Sequence, residues 1–288
     1  MSAIERYCAP RSLAEAAEVL RAADVTILAG GTDLMPQTQT GRVRFKPVLM
    51  NIRRVPELAG IEQDAGGFRI GALVTMTELL RSPLVRDRLG ILWQSCDHFA
   101  SDQLRNAATV GGNICNASPA GDTLVPLLVL EARVTLASKP DGAVLTRTLP
   151  LSEFLLAPGR TARRPGELLV DVRIPAPPQG FRGEFYKLGT RPALDISAIS
   201  IGVGAVRSGR TLRDVRIAFG AVAPTAIRAP KTEAALEGRS CDAATLEAAL
   251  AAADAEIRPI SDVRASDWYR REMIRNILRR LLGHDGNS

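Results

Sequence analysis

Three features of the 288-residue sequence predict an α+β fold built from more than one unit. Short β-branched segments alternate with short helical ones over residues 13–174. The run Pro175-Ala176-Pro177-Pro178-Gln179-Gly180 then interrupts all periodicity, as a boundary between domains does. Beyond it, three strand-like segments precede three helical ones, the segregated order of an α+β unit rather than the alternation of a parallel α/β sheet.

The elements follow in order. Ser12 precedes an Ala/Leu-rich helix over 13–22, and Val25-Thr26-Ile27-Leu28 reads as a short strand. Strands are expected at 47–52 and 67–73, with a loop that contains a turn over 53–58. Thr75 caps a short helix around Glu78, and helical segments occupy 84–100. A loop over 101–108 leads to a helix expected to start at Pro119, with Ser118 as its cap. Strands at 133–137 and 143–149 flank the turn Lys139-Pro140-Asp141-Gly142, and a strand at 168–174 ends this part. The last part holds strands at 181–188, 198–206 and 211–219, then helices at 231–236, 245–257 and 265–282. The final helix sets Arg270, Arg271, Arg275, Arg279 and Arg280 beside an apolar stripe of Tyr269, Met273, Ile274, Ile277 and Leu281. Its arginines are expected on a solvated outer face.

Composition excludes several function classes. With 46% hydrophobic and 24% charged residues the chain is neither disordered nor fibrous. Aromatics make up only 4%, too few for a stacking platform on single-stranded nucleic acid. The net charge of +6 is spread along the chain, which favours an anionic cofactor or an acidic partner over nucleic acid. No apolar run is long enough for membrane insertion. Cys8, Cys96, Cys115 and Cys241 show no metal-ligand spacing, and reduced thiols place the chain in the cytoplasm.

Two glycine stretches carry the chemistry. The strand at 25–28 runs into Ala29-Gly30-Gly31-Thr32-Asp33-Leu34, and Thr109-Val110-Gly111-Gly112-Asn113 stands before Ser118-Pro119 and Asp122. Adjacent glycines let backbone N–H groups approach an anion, because no Cβ is in the way. A tight turn explains one Gly-Gly equally well; two such stretches favour a shared ligand. Neither is the G-x-G-x-x-G of the dinucleotide fold. No residue pattern marks a nucleophile, an acid–base pair or a metal site.

Together, in this order and separation, the two stretches resemble the FAD-binding medium subunit of the molybdenum hydroxylases, the family of carbon monoxide dehydrogenase and the bacterial xanthine dehydrogenases. The resemblance continues through Gly71-Ala72, Thr75 and Glu78-Leu79, through Gln103-Leu104-Arg105-Asn106, through Tyr186-Lys187, Arg191 and Asp195-Ile196, to Trp268-Tyr269-Arg270-Arg271. It implies a two-subdomain FAD-binding fold of the vanillyl-alcohol oxidase (PCMH) type over 1–176, divided at about 58–59. A C-terminal domain over 180–283, with a three-stranded sheet and helices, would follow.

By the same resemblance Ile27, Leu28, Ala29, Gly30, Gly31, Thr32, Asp33 and Leu34, with Thr109, Val110, Gly111, Gly112 and Asn113, cradle the pyrophosphate of a non-covalently bound FAD. Asp122 meets its nucleotide side, Phe99 lies near the ring system, and Val170 and Lys187 contact the flavin as apolar and cationic neighbours. Asp195 falls in a loop near the reactive face. Asp102 stands where relatives often carry Pro. The chain is then expected to relay electrons from the [2Fe–2S] clusters of a small partner subunit to a terminal acceptor, with molybdopterin on a large third subunit. A stand-alone flavin oxidase or reductase of the same fold, and an assembly subunit without flavin, are the alternatives. Intact glycines in both stretches oppose the last.

Overall fold

The computed structural model describes residues 4–191 and 194–283. Its first sheet is parallel, in the order β1-β3-β2, formed by β1 (Arg6–Cys8), β2 (Val25–Leu28) and β3 (Val48–Asn51). Helix α1 (Leu13–Ala22) links the first two strands. Ser12 caps it by accepting from the Glu15 N–H, and Ala16, Ala17 and Leu20 turn inward. Helix α2 (Leu34–Gln39) follows β2 through the first glycine stretch.

The second sheet is antiparallel and five-stranded, in the order β4-β5-β10-β6-β7. Its strands are β4 (Ile61–Asp64), β5 (Gly67–Gly71), β6 (Arg133–Ser138), β7 (Leu145–Pro150) and β10 (Leu168–Pro175). Strand β10 is central because its Leu168–Val172 run is buried on both faces, whereas the edge strands β4 and β7 hold no buried residue. Between β5 and β6 the chain forms α3 (Met76–Arg81), α4 (Pro83–Arg88), α5 (Gly90–Asp97), α6 (Asp102–Arg105), α7 (Val110–Asn116) and α8 (Leu124–Val129). Thr75 and Glu78 close a reciprocal capping box at the start of α3. After β7 come α9 (Leu151–Phe154) and a small hairpin of β8 (Leu155–Ala157) and β9 (Arg160–Thr161). The core of the first sheet includes Ala137, Leu168 and Val170 from the second, so the two sheets share apolar contacts.

The third sheet joins β11 (Phe181–Leu188), β12 (Ile199–Ser208), β13 (Thr211–Gly220) and β14 (Ile227–Arg228) in sequential antiparallel order. Helices α10 (Pro230–Leu236), α11 (Ala243–Glu256) and α12 (Asp267–Gly283) form one core with it. Its other face lies against α5 and α8. A Cβ on Gly202 would sit 3.0 Å from the side chains of Val125 and Val129, so glycine there is what lets α8 approach.

Several local expectations are corrected. Strands β1, β4, β8, β9 and β14 are short, polar or both, and lack the alternation that marks a strand. The loop expected over 101–108 contains α6, while the turn expected within 53–58 is present as a 3₁₀ turn at Pro56–Leu58. The helical stretch 84–100 is two helices that meet at Leu89. The helix expected from Pro119 begins only at Leu124. Arg270, expected on a solvated face, is 2% exposed. Among the described residues no helix is long and apolar enough to cross a membrane.

Candidate functional site

The first glycine stretch follows the C-terminal end of β2. Gly31 adopts φ +75°, so the backbone reverses hand between Gly30 and the start of α2 at Leu34. Among the described residues, no protein acceptor takes the backbone N–H groups of Gly30, Gly31, Thr32 or Asp33. A left-handed residue within a run of free N–H groups is a concave donor site for an anion. Asp33 holds the N-cap position of α2 without a side-chain capping bond. Surrounding protein raises its carboxyl above the ordinary carboxylate range, although the residue itself keeps contact with solvent.

The second stretch is folded differently from the expected turn. Thr109 is the N-cap of α7, so Gly111 and Gly112 are helical and neither has positive φ. Their N–H groups are already engaged: Gly111 donates to Ala72 O at 2.9 Å and Gly112 to Thr109 Oγ1 at 3.1 Å. The Val110 and Asn113 N–H groups bond to Val74 O and Thr109 O. This stretch therefore supplies shape and a short helix start, and the free donors come from residues 30–33.

Each stretch is closely packed, and the segments flanking them meet. A Cβ built on Gly30 would lie 1.9 Å from Ala107 O, and one on Gly111 would lie 2.7 Å from Ala72 Cβ. Gln37 Nε2, on α2, donates to Asn116 Oδ1 at the end of α7 over 3.0 Å. Val170 packs in the same core as Ile27 and Ala29, and its carbonyl accepts the Ala72 N–H at 2.8 Å.

A second group of predicted residues gathers beside the third sheet. Lys187 Nζ donates to Asp122 Oδ2 at 2.6 Å and to His98 O at 3.1 Å. Ser197 Oγ donates to Asp122 Oδ1 at 2.7 Å. The Asp122 and Lys187 side chains are only 9% and 8% exposed. Burial raises the Asp122 carboxyl above the usual carboxylate range, and Lys187 and Ser197 pull it back only in part. Phe99 follows His98 and packs against the core of the second sheet; its carbonyl accepts from Arg105 Nη1 at 2.6 Å. The groups are linked in sequence by Asn113, whose Oδ1 accepts from Thr123 Oγ1 at 2.7 Å.

Asp102, the departure from the family pattern, opens α6 and pairs with Arg105, so its charge serves the first turn of a helix capped by Ser101. Asp195 is occupied by its own loop. It accepts from the Thr190 N–H, from Thr190 Oγ1 at 2.9 Å, from the Arg191 N–H at 3.0 Å and from the Ile196 N–H at 2.9 Å. These donors, the Thr190 hydroxyl foremost, hold its carboxyl down at about 2. His98 is exposed, with Nδ1 against Gln94 O, and His284 lies outside the described residues.

Two contributors were not among the site residues expected from the sequence, although Arg270 stands in the Trp268-Tyr269-Arg270-Arg271 motif. Ser197 holds Asp122 but is one serine among many. Arg270 has a signal in its spacing, because it stands four and seven residues before Ile274 and Ile277, on the buried stripe of α12.

The chain is similar to known proteins along most of its length. Residues 2–177 match the family model described as FAD binding domain in molybdopterin dehydrogenase, and residues 184–284 that of the CO dehydrogenase flavoprotein C-terminal domain. The carbon monoxide dehydrogenase medium chain of Hydrogenophaga pseudoflava is 35% identical over 96% of this chain and 95% of its own length. The xanthine dehydrogenase FAD-binding subunit of Escherichia coli O157:H7 is 31% identical over 89% and 87%. In the solved carbon monoxide dehydrogenase from Hydrogenophaga pseudoflava a chain superposes with a TM-score of 0.92 at 32% identity, covering 99% of this chain and 98% of that one. Quinoline 2-oxidoreductase from Pseudomonas putida 86 gives 0.89 at 30% identity, over 98% and 96%. With both family models matched in sequence and the fold shared along nearly its whole length, the chain belongs to the FAD-binding medium subunits of the molybdenum hydroxylases.

Proposed function

We propose that this chain binds one FAD non-covalently and acts as the electron-transfer flavoprotein of a three-subunit cytoplasmic hydroxylase. Bound FAD supplies the exchange of electrons between the [2Fe–2S] clusters of a small subunit and a terminal acceptor, while molybdopterin resides on a large subunit. The observation that carries this reading is the run of unengaged N–H groups at Gly30, Gly31, Thr32 and Asp33, closed on one side by Ala107 and Ala108.

The chain's own residues bind and orient. Residues 27–34 receive the pyrophosphate, with charge supplied by oriented backbone dipoles rather than by a cation. Thr109 to Asn113 form the facing wall, where exposed Gly112 leaves room for the ligand. Val170 gives an apolar contact, Phe99 an aromatic one, and the Asp122–Lys187 pair a fixed dipole at the junction with the third sheet. The reading divides the chain into a flavin-binding domain over 1–176 and a C-terminal domain over 180–283. The four cysteines, without pairing or metal-ligand spacing in the sequence, support a reducing compartment.

Acid precipitation of the purified chain tests the cofactor mode. Yellow flavin in the supernatant, about one per chain, is expected; colour retained in the pellet would disprove non-covalent binding. The same protein, free of molybdenum and iron, should not oxidise aldehydes, purines, nicotinate or carbon monoxide until its partner subunits are added. Turnover by the isolated chain would instead establish a stand-alone oxidase.

A further inference from the structure

We propose that Arg270 is a positioning residue of the flavin site: from α12 its guanidinium sets two of the grips on residues 119–122, those made by Ser197 and Ala221 beside the Lys187 ion pair. This rests on the reading that Asp122 and Lys187 face the flavin. Arg270 is buried, and its Nη1 donates to the carbonyls of Ala198 and, at 2.6 Å, Ala221. Its Nη2 donates to Asp262 Oδ1 at 2.7 Å, which fixes the fork's orientation from behind.

Each of the two carbonyls belongs to a point of attachment to the N-terminal half. Ala198 follows Ser197, whose hydroxyl holds Asp122 Oδ1. Ala221 donates its own N–H to Pro119 O at 2.8 Å. Ala221 also adopts φ +61°, a conformation that a non-glycine residue keeps only when its surroundings impose it. One side chain on the last helix thus ties two separate segments, and these grip the loop that opens with the second glycine stretch and ends at Asp122. That grip also explains why no helix starts at Pro119: the Pro119 carbonyl and the Asp122 carboxylate are both committed to the third sheet.

Stability alone does not call for a guanidinium here. Arg270 Nε has no partner among the described residues, and an apolar side chain of similar volume avoids the desolvation cost of a buried charge. What an apolar side chain lacks is the ability to bind two carbonyls from different segments at once.

The test uses the full chain with R270M, R270K, S197A and D122N. Far-ultraviolet dichroism reports folding, titration of the flavin-free protein gives the FAD affinity, and the visible flavin band reports its surroundings. R270M is expected to fold and to bind FAD at least about tenfold more weakly, as for loss of a hydrogen bond to a charged group. Its flavin band should shift in the same direction as in D122N. R270K, with three ammonium donors for the same acceptors, should recover part of that affinity, which a packing role would not produce. S197A, which cuts the link at its far end, should reproduce the R270M shift, and it carries the test if R270M does not fold. R270M with wild-type affinity and band, or R270K no closer to wild type than R270M, would overturn the proposal while D122N still weakens FAD. D122N with wild-type FAD affinity would overturn the placement of Asp122 itself, and the proposal with it.

Discussion

Gly112→Val is expected to give a folded protein that has lost its flavin. The two glycines of α7 lie on different sides of the helix. Gly111 is buried, and a Cβ there would press on Ala72 Cβ, Cα and O at 2.7–3.1 Å. Gly112 is exposed, and its Cβ would meet only Thr109 Oγ1, at 2.8 Å. Valine at 112 therefore displaces one hydroxyl that caps α7, at a cost of about 1 kcal/mol. Replacing a helical glycine returns up to about 0.5 kcal/mol of backbone propensity. The branched side chain then stands in the space assigned to the cofactor. Overfilling that space costs about 1–3 kcal/mol of binding, a loss of about fivefold to 150-fold.

Two controls separate this from misfolding. Gly30→Ala places a methyl 1.9 Å from a backbone carbonyl, which no rotamer relieves, and should destabilise the chain by about 3 kcal/mol. Gly142→Ala, in the exposed β6–β7 turn at φ +84°, should cost about 1 kcal/mol and leave flavin content unchanged. Flavin absorbance per chain, read beside the thermal midpoint, distinguishes the three. Full occupancy in Gly112→Val would show that the ligand does not pass over this face.

The glycine stretches were legible because close approach leaves a mark in composition. Where Gly30 abuts Ala107, and where Gly111 abuts Ala72, only hydrogen fits. The actual division of labour between them was not legible. Which N–H groups stay free depends on the acceptors Val74, Ala72 and Thr109 that tertiary folding places nearby. Helix α3 could be read from Thr75 and Glu78, since a capping box is local. Ser118-Pro119 has the same local look and yet starts no helix, because Ala221, about a hundred residues later, takes the Pro119 carbonyl. Strand β1 is three residues long and mostly exposed, and it is a strand only because β3 lies beside it. Arg270 shows the opposite failure. Its charge spoke for the surface while its spacing from Ile274 and Ile277 spoke for the core, and the buried carbonyls of Ala198 and Ala221 decided the matter.

Lys187→Met is expected to destabilise the chain by about 3–5 kcal/mol near pH 7, the usual effect of removing one member of a buried ion pair. The cost falls on Asp122. With the ammonium gone, its carboxylate keeps the Ser197 hydroxyl but loses the cation at 2.6 Å. Burial already raises this carboxyl, and removal of Lys187 takes away the main opposing influence, so it rises further. The sign of the pH dependence follows. A carboxyl whose folded pKa lies above its unfolded value favours the folded state while protonated, and that contribution is lost as pH rises through the folded value. The defect in Lys187→Met should therefore be full near pH 7 and shrink as the medium is acidified, opposite to the loss that acid imposes on Asp195, held at about 2.

Urea unfolding of the flavin-free chain near pH 7 and pH 5, with Asp122→Asn added to Lys187→Met, measures each part. The double variant removes both charges and should return to within about 1–2 kcal/mol of wild type at both pH values. A defect independent of pH, or a double variant no more stable than Lys187→Met, would mean that Asp122 is solvated and that water, rather than Lys187, neutralises it. The expected pattern would instead identify the pair as a buried lock between the N-terminal half and the third sheet. In that case flavin affinity and the joining of the two halves should fail together in Lys187→Met and recover separately in the double variant, which restores the joint but not the cation.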